Sequence, residues 1–178
     1  MKNKNNSLLS LALGAMFAAM ICALTTFVHI PTNQGYVHVG DSIIFLAACL
    51  LPAPYAICAS AIGGGLADLL SGYAVWVIPT AIIKAGCAAV FSSRRDKIIN
   101  KRNLTAIAPA ALICIIGYYL AGALLSLLSG SALPAAFAAA LADVPSNLLQ
   151  CAASAALFIP LGIGLDKAGV KKRLRYSA

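Results

Sequence analysis

The chain has 178 residues, 61% of them hydrophobic and 10% charged, with a mean hydropathy of +0.91, which is too little polar surface for a water-soluble domain. Its net charge of +8 arises from 13 Lys and Arg against 5 Asp and no Glu. That balance would suit nucleic acid if the bases shared one surface, but all except Lys84 fall in three clusters separated by long apolar stretches: Lys2 and Lys4; Arg94, Arg95, Lys97, Lys101 and Arg102; Lys167, Lys171, Lys172, Arg173 and Arg175. Such spacing belongs to the loops on one side of a multispanning membrane protein and excludes a nucleic-acid partner.

In chain order, the apolar run from Leu8 is longer than a signal-peptide core and predicts a retained first helix over about 7–28. Ala15, Ala19 and Ala23 recur along it at four-residue spacing, with Gly14 and Ala18 on the adjoining row. This flat face lets a second helix come close, either in this chain or in a partner. The connection from His29 to Asp41 is broken by Pro31 and Gly35 and gathers His29, Tyr36, His38 and Asp41 between apolar neighbours. It reads as a lid over a ligand, or as an exposed loop in which Asp41 caps the next helix. The two His lie in a loop without metal-ligand spacing, and the six Cys stand singly in apolar runs, so no metal site is expected.

Further helices are predicted at about 41–52, 54–71, 77–93, 104–128 and 145–165. The second is too short to span unless it dips or tilts, and 132–143 is a candidate half-helix feeding the last. The fold class is thus an all-α integral membrane protein, a single domain over 1–178 with about six transmembrane helices and both termini cytoplasmic. The orientation follows from the bases, because the opposite connections, 29–40, 71–77 and 129–134, contain no Lys or Arg. No internal repeat of the kind found in many secondary transporters stands out.

Ionisable side chains inside hydrocarbon are costly unless paired or facing a polar cavity. Asp68 near the outer end of the third helix and Lys84 in the fourth therefore predict a buried pair across a helix hairpin, as a pocket floor or as a structural pin. Tyr73 and Trp76 between them suit either an interfacial anchor or a stack on a flat ring. Gly63, Gly64 and Gly65 permit close helix approach; no Lys-Ser/Thr pair follows them, so they form no phosphate loop. Asn147 and Gln150 lie about one turn apart at the start of the last helix and aim their amides at a ligand or at a neighbouring helix.

Taken together, Gly35-Tyr-Val-His-Val-Gly-Asp41, Ile43-Ile-Phe-Leu-Ala-Ala48, Leu66-Ala-Asp-Leu-Leu-Ser-Gly-Tyr73 and Pro79-Thr-Ala-Ile-Ile-Lys84 resemble the substrate-binding S components of energy-coupling factor (ECF) transporters, in the riboflavin-transporter-like branch. The resemblance implies a bacterial plasma-membrane protein that is not an enzyme and needs no cofactor. It also implies a vitamin-like substrate, of the riboflavin, hydroxymethylpyrimidine or pyridoxine class, held near the outer surface under the loop after helix 1. Tyr36, His38, Asp41, Asp68, Tyr73, Trp76, Lys84, Asn147 and Gln150 become the candidate substrate-binding residues. The implied partners are a transmembrane T component, docked on Ala15, Ala19 and Ala23, and two cytoplasmic ATPases. Two other readings remain open from the residues alone: a self-sufficient carrier using Asp68, Lys84 and Asp143 as a relay, and a membrane enzyme built on His29, His38 and Asp41 around a metal.

Overall fold

The computed structural model describes the backbone of residues 2–31 and 36–177, with side chains over 7–30 and 37–174. Helix α1 (Lys2–Phe27) leads into two short strands, β1 (His29–Pro31) and β2 (Tyr36–His38), paired antiparallel with His29 opposite His38. Next come α2 (Gly40–Leu50), α3 (Ala53–Leu70), a 3-10 turn (Ala74–Trp76) and α4 (Val77–Ala89). The chain continues through α5 (Lys101–Leu128), α6 (Leu133–Ala142), α7 (Val144–Lys167) and α8 (Val170–Ser177).

Among the described residues, four stretches are long and apolar enough to cross a bilayer: 7–27, α3, α5 and the 133–167 run. Their outer faces match that solvent. On α5, Leu112, Ile116, Leu120 and Leu124 repeat every fourth residue and all are more than half exposed, as side chains in contact with lipid should be. The chain is a multi-pass, all-helical membrane protein.

The short α2 is the centre of the bundle. Beyond Asp41 and Ser42 it is apolar on every side, so no face prefers the periphery, and its residues from Gly40 to Cys49 are all buried among α1, α3, α4 and α7. Eleven residues rise about 16 Å, roughly half of the hydrocarbon thickness. Around it, the glycines of α3 set the spacing. A Cβ at Gly63 would come within 2.7 Å of the Ala18 carbonyl oxygen, and one at Gly64 within 2.9 Å of the Lys84 stem; α1 and α4 therefore close on opposite flanks of α3.

The helix expected at 77–93 stops at Ala89 because side chains satisfy the backbone beyond it. Arg102 donates to the Val90 carbonyl (2.8 Å), Asn103 bonds the Ser92 N–H and carbonyl (both 3.1 Å), and Asp166 accepts the N–H groups of Ile98 and Ile99 (2.7 and 2.9 Å). Asn100 accepts from the Asn103 N–H and starts α5 at Lys101, earlier than expected. Residues 133–142 form a helix of their own, and α1 begins at Lys2 rather than near residue 7. The 94–102 connection and the α7–α8 junction gather at the Leu51–Tyr55 end of the bundle, where Tyr55 also meets Ser7 of α1.

Candidate functional site

At the other end, β2 delivers its chain straight into α2. A Cβ at Gly40 would overlap the Thr25 hydroxyl of α1, so only glycine lets α2 begin so close to that helix. The Gly40 N–H donates to His38 Nδ1 at 3.1 Å, which fixes the imidazole with Nδ1 as acceptor. Burial, followed by the nearby Lys84 ammonium, drops the His38 pKa from its ordinary 6.5 to about 3, and the ring is neutral in the hairpin.

One turn into the protein from His38, three helices converge on a single carboxylate. Lys84 Nζ of α4 lies 2.7 Å from Asp41 Oδ1 and 3.0 Å from Oδ2, and Gln150 Nε2 of α7 donates to Oδ2 at 3.1 Å. Both charged side chains are 2% exposed or less. Desolvating two ions costs several kcal/mol each, and the attraction between them repays it only where the geometry is good and other donors complete it. Gln150 supplies one such donor. Tyr118 of α5 adds another contribution, with Lys84 Nζ 5.1 Å from its ring centroid. Its hydroxyl donates to Thr80 Oγ1 at 3.2 Å, and its ring lies 5.9 Å from that of Trp76.

This corrects the pairing expected from the sequence. The carboxylate gripped by Lys84 belongs to Asp41 on the buried α2, not to Asp68 on the adjacent α3. Asp68 is buried at the end of α3, where its carbonyl accepts the Tyr73 N–H at 2.8 Å. Tyr73 and Trp76 bracket the turn before α4 and are partly buried; Trp76 leans toward the network through Tyr118. Gln150 joins Asp41 directly, whereas Asn147, one turn earlier on α7, is partly exposed. Tyr36 opens β2, and its side chain lies outside the described residues. Tyr118 and Thr80 went unnoticed in the sequence. Thr80 sits one turn before Lys84 on the same helix face, the spacing that could have revealed it.

A compact polar nest roofed by a strand hairpin, inside an otherwise apolar bundle, is the kind of site that orients a small polar ligand. The sequence model for the ECF-type riboflavin transporter, S component, matches residues 5–167. The chain belongs to this family. A protein of Pyrococcus woesei, described as an uncharacterized protein in the gap 3' region, is 34% identical over 67 residues, 38% of this chain and 45% of that protein. The chain thus spans less than half the length of that curated relative.

Proposed function

We propose that this S component captures riboflavin, or a flat heterocyclic vitamin of similar size such as hydroxymethylpyrimidine or pyridoxine, outside a bacterial cell. Release inward then depends on a T component and two ATPases. The reading is carried by the convergence of Asp41, Lys84 and Gln150 from three helices directly beneath His38. Opened by movement of the β1–β2 hairpin, this nest offers an ammonium, a carboxylate and an amide to the polar edge of a heterocycle, while Trp76 and Tyr118 offer ring faces. The hairpin is then the lid, and Tyr36, Asp68, Tyr73 and Asn147 are further candidate contacts for the substrate.

The positive-inside rule puts the end bearing 94–102 and 167–175 in the cytoplasm and the hairpin outside. Ala15, Ala19 and Ala23 are exposed on α1, whereas Gly14, Ala18 and Ile21 on its other side pack within the chain. This split favours the exposed alanine row as the docking face for the T component.

The test is a titration of the purified, vitamin-free protein with riboflavin, hydroxymethylpyrimidine and pyridoxine in turn. Riboflavin should bind with a Kd below about 1 μM, worth roughly 8 kcal/mol, and its fluorescence should be quenched against the aromatic rings. Folded protein that binds none of the three at this level would sink the reading.

A further inference from the structure

At the basic end of the bundle, away from the polar nest, a cavity of about 770 Å³ opens between the α2–α3 corner, the segment after α4 and the first turn of α5. Its two sides differ in chemistry. Ala48, Ala56, Ala88 and Phe91 form an apolar floor, and Ser92, Ser93, Arg94, Arg95 and Arg102 form a polar rim.

We infer that this cavity binds the phosphodiester headgroup of an anionic phospholipid, with the glycerol and upper acyl carbons against the apolar floor. Guanidinium groups match phosphate oxygens with paired donors, and hydroxyls add further ones. The rim is built in advance. Arg102 is held by the Val90 carbonyl and Asn103 Oδ1 (2.8 and 3.5 Å). The Ser92 hydroxyl oxygen accepts the Arg94 N–H at 3.3 Å, which leaves its own proton to donate. Asn103 and Asp166 fix the loop carrying these residues. A soluble phosphate would use the rim alone. The floor, together with exposed Ala53 and Pro54 at the mouth, suits an amphiphile arriving from the bilayer.

The full chain, purified with equal amounts of phosphatidylglycerol and phosphatidylcholine and examined by native mass spectrometry, should retain the former selectively. Arg94→Gln with Arg95→Gln should reduce that retention at least tenfold while leaving the thermal midpoint and the phosphatidylcholine signal unchanged. Ala53→Phe, which fills the mouth and keeps every arginine, should reduce it too, a result that does not depend on how the double variant folds. Millimolar glycerol phosphate should fail to displace the retained lipid. Equal phosphatidylglycerol retention by wild type and Ala53→Phe would overturn the inference, as would complete displacement by glycerol phosphate, which would assign the rim to a soluble phosphate.

Discussion

Replacing Asp41 by Asn leaves the Lys84 ammonium buried without its counter-charge. Lys84 and Asp41 are 2% exposed or less and 2.7 Å apart, the situation in which removing one partner costs about 3–5 kcal/mol. For a chain of this length each kcal/mol moves the midpoint by about 2–4 °C, so a fall of roughly 6–20 °C is expected. The protein carries its own reporter: Cys49, Cys87 and Cys114 are buried and free, so a thiol-reactive fluorophore added during a thermal ramp reports unfolding. Asp41→Asn with Lys84→Met removes both charges and should recover more than half of the loss, because no ion is left stranded. The coupling in this cycle should exceed the coupling measured for Asp68→Asn with Lys84→Met. An Asp41→Asn midpoint within about 2 °C of wild type, or stronger coupling to Asp68, would refute the pairing.

His38 makes stability fall with acid: the unfolded imidazole takes a proton below its ordinary 6.5 and the folded one only near 3, so the contribution is full above 6.5 and shrinks by about 1.4 kcal/mol per pH unit below it. His38→Asn keeps an acceptor for the Gly40 N–H and should flatten the profile between pH 6.5 and 4 in the same thermal assay; parallel profiles for the two proteins would contradict this. Gly63→Ala should lower stability by about 1–3 kcal/mol, because its Cβ meets the Ala18 carbonyl oxygen at 2.7 Å, rigid backbone that cannot step aside; an unchanged midpoint would show that α1 and α3 separate freely. Ala15→Leu, Ala19→Leu and Ala23→Leu combined should abolish co-purification with a T component while leaving the thermal midpoint and vitamin binding intact, since all three side chains are exposed. Loss of folding along with assembly would instead mark that row as internal packing.

The membrane class, the apolar helices and the segregation of bases were legible because hydropathy and charge are summed along the chain and need no knowledge of neighbours. Close packing at Gly63 to Gly65 was legible for a similar reason, since a missing side chain has one use inside a bundle. The His38 and Asp41 segment could be singled out from its composition, and Gln150 from its place at the start of a helix, as polar groups set in an apolar bundle. The partner of Lys84 could not. Asp68 and Asp41 both have depths that suit it, and adjacency in sequence favours Asp68 on the neighbouring α3. Sequence fixes how far a residue lies along its helix, whereas the direction of its side chain around the bundle depends on how the helices pack. Because α2 is apolar on every side past Ser42, it sinks to the centre, where Asp41 at its first turn faces α4 and α7 together. Packing alone also decided that Tyr118 lies over Lys84 and that Arg102 and Asp166, far apart in the chain, end α4 early, since each contact joins residues whose separation in sequence carries no information about distance in space.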